Sequence, residues 1–354
     1  MHKSPTLVAS LTDLNTEQLS LFNKESLFAQ KIFKFDPSAV LERLKKLEGE
    51  VVLGIDLGGN KAEASLFTIS QQGLVKADGQ EMKSVNGKGY LAFLEDTARE
   101  YRQNQVMVGI SSAGAVRGTK LISSVNLPIL VEELKEKYDG DFSNLYKGEL
   151  SLVNDAVSGV IASTLEARIK YEDVGNIILF INGGGIGGAV LTKGEIWATE
   201  PGHVKLADSL NKFKQRKLCR PRMRNYICIE NVAASGAGIE DLWFKKTGEK
   251  LSGEEISQRY QEKNEFAAEL YESSSLICAH AIVGISKVFT LFEKENDTLI
   301  FCHGGIFNVP GYAEGLKQIL EKHFGFDLRF ICTKDLGKNL SLYGAGIAAA
   351  INLT

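Results

Sequence analysis

A chain of 354 residues, 44% hydrophobic and 24% charged, has room for two domains and the balance of an ordinary globular protein. Its formal net charge of -3 excludes a general polyanion-binding surface, so nucleic acid is not an expected partner. No apolar run approaches the roughly 20 residues that cross a bilayer, the opening MHKSPTLVASLTDLNTEQ does not read as a secretory signal, and five scattered cysteines argue for a reducing cytoplasm over a disulfide framework.

Residues 1–50 read as a short helical N-terminal extension. Apolar residues recur at helical spacing in LFNKESLFAQKIFKF and AVLERLKKL. From residue 51 the text alternates. Residues 51–55 form an apolar strand, joined by a glycine turn to a strand over 62–69. A helix over 90–103 and a strand over 106–111 follow. A short strand over 150–153 runs into a helix that reaches about residue 167. A strand over 176–181 is joined by a second glycine turn to a return strand over 189–192. A long helix over 266–292 and a strand over 298–302 complete the set. Strands alternating with helices predict an α/β fold with mostly parallel sheets covered by helices. The repeated strand–glycine turn–strand unit predicts two similar lobes with a cleft between them. The boundaries read as 51–154 with 340–354 for the first lobe and 155–339 for the second.

Four places carry chemistry. In Asp56-Leu57-Gly58-Gly59-Asn60-Lys61, glycines without Cβ atoms let backbone N–H groups approach phosphate oxygens, and Asp56 at the strand end is placed to hold a hydrated Mg²⁺. The alternative is a plain hairpin. The run from Gly183 to Gly188, including Gly184 and Gly185, repeats the design with five glycines in six residues. That many glycines raise the entropy lost on folding, so something must approach the backbone closely, with phosphate the expected candidate. Asn154-Asp155 stands at a strand–helix junction, where Asp155 is either a simple helix cap or a base that takes a proton from a hydroxyl. Glu200-Pro201-Gly202-His203 puts a carboxylate and an imidazole at one turn, able to bind sugar hydroxyls. His203 alternatively ligates a metal or is a satisfied turn residue.

Together these elements resemble the ROK family of bacterial sugar kinases and sugar-responsive repressors. The resemblance covers about residues 50–354 and rests on six motifs in order: DLGGNK at Asp56, NLP at Asn126, NDA at Asn154, GGGIGG at Gly183, EPGH at Glu200 and CIE at Cys228. It implies two actin-like (ribonuclease H-like) lobes with mixed sheets flanked by helices. It implies a sugar kinase that moves the γ-phosphate of ATP, with Mg, onto a hexose or N-acetylhexosamine, Asp155 acting as general base. Asn126, Asn154, Glu200, His203 and Glu230 would hold the sugar, with Gly114 in the place of the family's PG. Gly304 and Gly305 would border the adenosine pocket, and Gly344 would lie on the C-terminal helix that closes the first lobe. A homodimer is also implied.

The match has departures. Asn60 and Gly184 replace two threonines that donate hydroxyls to phosphate, each worth about 1 kcal/mol or, to a charged group, about 1.5–3. Weakened ATP use is therefore expected, and a non-catalytic sugar-responsive regulator is the alternative. The family's structural zinc uses its His and three cysteines. Here His203, Cys219 and Cys228 remain and the middle cysteine is absent, so zinc is not expected. The intervening stretch carries Lys212, Lys214, Arg216, Lys217, Arg220, Arg222 and Arg224, read as a solvated loop rather than a site for an anionic sugar.

Overall fold

The computed structural model describes residues 19–59, 61–71, 73–77, 83–86, 89–101, 106–124, 126–171, 174–215, 218–219, 226–294 and 297–353. Contacts divide the chain into two units. Lobe I holds the described residues of 34–172 and 338–354, and lobe II those of 1–33 and 173–337.

In lobe I the strands β2 (Val51–Leu57), β3 (Lys61–Ser70), β4 (Gly73–Lys76), β6 (Met107–Ser112) and β9 (Leu150–Asn154) form a sheet in the order β4-β3-β2-β6-β9, with β5 (Lys83–Asn86) also on β3. β2 pairs antiparallel with β3 and parallel with β6, and β6 pairs parallel with β9. The centre of β2 is buried, which its near-continuous apolar text requires of a strand covered on both faces. One face packs against α2 (Tyr90–Tyr101), α3 (Pro128–Tyr138) and α4 (Phe142–Tyr146) through Leu94, Leu130 and Phe142. The other carries α5 (Asp155–Lys170) and α10 (Leu340–Ala350). A small hairpin joins β7 (Ala115–Arg117) to β8 (Lys120–Ser123).

α10 lies unusually close to its neighbours. A Cβ on Gly344 would stand 1.8 Å from the Ser158 carbonyl oxygen on α5. Ser158 Oγ donates to the Ser341 carbonyl at 2.6 Å, and Ser341 Oγ donates to the Asp155 carbonyl at 3.2 Å. These contacts bring α5 into lobe I, whereas the sequence reading began the second lobe at Asp155.

In lobe II the order is β1-β12-β11-β10-β13-β14, built from β1 (Gln30–Lys34), β10 (Asn176–Asn182), β11 (Ile186–Thr192), β12 (Glu195–Thr199), β13 (Thr298–His303) and β14 (Arg329–Cys332). β10, β11 and β12 form an antiparallel meander, and β10, β13 and β14 run parallel. The helices are α6 (Gly236–Thr247), α7 (Gly253–Gln261), α8 (Glu265–Phe289) and α9 (Tyr312–Phe324). α8 is 25 residues long and sits in the core, with Ile277, Cys278, Ile282 and Ile285 buried. Both lobes are thus α/β layers, as the alternating pattern predicts, but their sheets mix parallel and antiparallel pairs rather than being mostly parallel, because hairpins at the glycine turns add antiparallel strands.

The extension departs from its helical reading. Residues 1–18 of the helical reading lie outside the described residues; among the described ones the long helix is α1 (Pro37–Lys46), capped by Asp36, whose Oδ1 accepts from the Ser38 and Ala39 N–H groups. It packs on α5 and β3. Residues 30–34 instead form an edge strand, because pairing with β12 outweighs a weak local helical pattern. Lys31 and Lys34 keep that edge charged. Among the described residues no helix is long and apolar enough to cross a membrane.

Candidate functional site

Each lobe contributes a cluster of the sequence-selected residues. In lobe I, Asp56 ends β2 and is half-buried. Ser111 Oγ donates to its Oδ1 at 2.9 Å, and Asn339 Nδ2 donates to its Oδ2 at 3.0 Å. The same Asn339 amide donates to Glu63 Oε2 at 2.7 Å, and Glu63 is ion-paired with Lys61. Burial pushes the Asp56 carboxyl up to about 6. The two hydrogen bonds pull it back, the Glu63 charge raises it further, and Lys61 opposes that. The carboxylate is therefore held firmly in a buried setting, where its ionised form gains from a nearby cation. Asn339 caps α10, accepting from the Leu342 N–H. It lies 283 residues from Asp56 in sequence. No local signal in the text marks it, or Ser111 and Glu63, as belonging to this cluster.

Gly58 and Gly59 form the turn after β2. The Gly58 carbonyl accepts from the Tyr90 hydroxyl at 3.1 Å, and a Cβ on Gly59 would meet Asn126 Cβ at 3.1 Å. Asn126 is exposed beside that turn. Asn60 lies outside the described residues.

Asn154 and Asp155 join β9 to α5. Asn154 is the helix cap, its Oδ1 accepting from the Ala156 and Val157 N–H groups at 3.0 and 3.4 Å, while its Nδ2 donates to the Gly114 carbonyl at 3.1 Å. Gly114 has φ +140 and faces the Ser123 carbonyl, a place that no Cβ can enter. Asp155 is half-buried in the first helical turn, its Oδ1 accepting from the Ala156 N–H at 2.9 Å. The pair therefore divides the work: Asn154 fixes the backbone and Asp155 presents the carboxylate.

In lobe II the glycine run between β10 and β11 does more than one job. Gly183 and Gly184 have nothing within 4 Å of a Cβ position. Gly185 instead makes room for Glu230 Oε2 at 3.1 Å, which also lies 3.0 Å from a Cβ position on Gly202. Gly187 is 4.0 Å from Glu200 Oε2, and Gly188 closes on the Leu179 carbonyl. Part of the glycine content thus shapes a pocket for two carboxylates, a use that composition alone does not distinguish from phosphate binding. Glu230 Oε1 stands 3.2 Å from His203 Nδ1. Glu200, His203 and Glu230 are one cluster. After β13, Gly304 has φ +116, and a Cβ there would come 2.1 Å from the Asn182 carbonyl; Gly305 is open.

His203, Cys219 and Cys228 bring their ligand atoms within 4.8 Å of one another. Both cysteines are buried, and burial pushes the Cys228 thiol far up, Cys219 adding to the rise. A structural zinc takes four protein ligands, mostly thiolates and imidazoles. These residues supply three, and the intervening 220–225 contains no cysteine or histidine. The set does not complete the family's zinc site. Lys212 and Lys214 belong to lobe II, while Arg216, Lys217, Arg220, Arg222 and Arg224 lie outside the described residues.

Comparison with known proteins follows the same outline. The model of the ROK family matches residues 52–350. An N-acetyl-D-glucosamine kinase from Haemophilus influenzae is 26% identical over 294 residues, covering 76% of this chain and 89% of its own length. The solved structure of a putative N-acetylmannosamine kinase from Listeria monocytogenes shares the fold with TM-score 0.62 at 18% identity, covering 85% of this chain and 98% of that one. A ROK family transcriptional regulator, a homologue of the E. coli MLC protein, superposes with TM-score 0.60 at 16% identity over 96% of this chain and 88% of its own.

Proposed function

The chain belongs to the ROK family, and from that premise we propose that it is a sugar kinase, transferring the γ-phosphate of ATP to a hydroxyl of a hexose or N-acetylhexosamine. The observation that carries this reading is Asp155, presented at a helix N-terminus while its neighbour Asn154 ties that junction to Gly114. In the reaction the sugar oxygen forms a bond to the γ-phosphorus as the bond to the bridging oxygen of ADP breaks. The hydroxyl proton passes to Asp155. Glu200, His203, Glu230 and Asn126 are assigned to the sugar hydroxyls. Gly58, Gly59, Asn60, Lys61, Gly183, Gly184, Gly304 and Gly305 are assigned to the nucleotide. Asp56 is assigned to the magnesium that arrives with ATP, a role its buried carboxylate suits. Asn60 and Gly184, which stand where the resemblance implies threonine, lack a hydroxyl for phosphate, and this reading has them weaken the grip on ATP. The same reading makes the protein a cytoplasmic homodimer.

The test is ADP release across a panel of hexoses, hexosamines and acetylated hexosamines, for wild type and Asp155→Asn. At least one sugar should give turnover. The substitution should cut kcat about 10²–10⁴-fold with little change in melting temperature. Wild-type turnover in the variant removes Asp155 from the chemistry. Sugar-binding heat without ADP from the wild type replaces the kinase with the non-catalytic regulator.

A further inference from the structure

The segment before residue 34 lies outside the family match, yet it reaches the Glu200–His203 turn of lobe II. Residues 24–29 close in the hydrogen-bond pattern that ends many helices. The Ala29 N–H donates to the Lys24 carbonyl at 2.8 Å and the Phe28 N–H to the Glu25 carbonyl at 3.0 Å. That pattern puts the next-to-last residue in the left-handed region, where glycine is usual. Here the residue is Phe28, at φ 49. A side chain held there is strained, so a contact elsewhere must offset it.

The contact is with His203. The Phe28 ring meets the His203 imidazole edge-on, with centroids 6.0 Å apart and planes at 88°. One residue earlier, Leu27 is fully buried and its carbonyl accepts from the Glu200 N–H at 2.8 Å. Glu200 and His203 are thus held from the same short segment, one by its backbone and one by its ring. The segment is itself well anchored. Lys24 Nζ lies 4.1 Å over the Trp197 ring, and Lys31 is ion-paired with Glu195, both on the strand that leads into Glu200. Phe22 fills a notch over Gly284 of α8, where a Cβ would stand 2.3 Å from its ring.

We propose that Phe28 is a positioning residue for the sugar-holding turn Glu200–His203, supplied by the N-terminal extension. The assignment of that turn to sugar rests on the kinase reading; the positioning of the turn does not. The ring limits the imidazole, the Leu27 carbonyl limits Glu200, and the left-handed backbone at Phe28 aims both.

Phe28→Gly separates positioning from stability, because glycine suits the backbone there and removes only the ring. The measurements are melting temperature, amide hydrogen exchange at Glu200 and His203 without ligand, and steady-state kinetics with N-acetyl-D-glucosamine and ATP. The melting temperature should hold or rise while exchange at the turn quickens. The KM for sugar should rise about three- to tenfold, with kcat and the KM for ATP within about twofold, and Phe28→Tyr should restore wild-type values. Unchanged exchange in Phe28→Gly overturns the proposal. A lower melting temperature with kcat and both KM values moving together overturns it too, assigning Phe28 to general packing. If wild type turns over no sugar, the kinase reading falls, and exchange at the turn alone decides whether Phe28 positions it.

Discussion

His280 is fully buried on α8, its ring edge-on to Phe22 with centroids 5.0 Å apart, and among the described residues neither ring nitrogen finds a hydrogen-bond partner. Burial, with a nearby His323 charge as the smaller cause, pushes its pKa down to about 4. The folded value lies below the unfolded value near 6.5, so the neutral ring belongs to the folded state. This stability is fully present above about pH 6.5 and is lost as pH falls toward 4, in all about 3 kcal/mol. Asp56 works with the opposite sign, since its raised carboxyl makes the ionised form costly above pH 6. Urea midpoints for wild type and His280→Leu at pH 7 and pH 4.5 separate the two. Wild type should lose about 2–3 kcal/mol more than the variant over that range. Parallel losses in both proteins exclude His280 as the source.

At the scale of elements, the placement of Asp155 depends on two helices joined through almost no side chain. α10 meets α5 where Gly344 faces the Ser158 carbonyl, and Ser341 bonds the Asp155 carbonyl directly. A methyl group at Gly344 has no room, so the helices must separate or shift. Gly344→Ala is expected to cost about 1–3 kcal/mol, the usual range for overpacking. It should also change kcat more than the KM for sugar, because the turn carrying the proposed base Asp155 moves while the lobe II cluster proposed to hold the sugar does not. Denaturation midpoints and steady-state kinetics check both parts. Wild-type kcat in a destabilised Gly344→Ala protein would separate helix packing from catalysis. The C-terminal text, alanine- and glycine-rich from Gly344 onward, shows that this helix is buried; it does not show which carbonyl it covers.

At the scale of the whole molecule, residues 19–46 of the extension are part of the fold rather than a tail. Residues 34–46 pack with lobe I, and residues 19–33 with lobe II, where Phe22 and Leu27 enter the core. Removing residues 1–34 would uncover that apolar surface, at about 1.5–3 kcal/mol for each fully buried large side chain. It would also leave β12 as an unpaired edge, a template for pairing with another chain. The shortened protein should melt several degrees lower and self-associate in light scattering. A monodisperse product with the wild-type melting temperature contradicts this account.

Alternation of apolar strands with amphipathic helices determined the α/β class, and two glycine-rich strand turns, NDA, EPGH and CIE determined the family, because those signals are local in the chain. Boundaries were legible where burial and periodicity agree, as in β2, β10 and α8. The strand over residues 30–34 was not, because its partner, β12, lies more than 160 residues away. Comparable distances hide Asn339 between Asp56 and Glu63 and Phe28 beside His203, whereas Glu230 enters the space left by Gly185 and Gly202 from a nearer part of the chain. Residue type states what a side chain can do. Which partner it meets is decided by packing between segments remote in sequence, where close approach, desolvation and hydrogen bonding act only once the chain has folded.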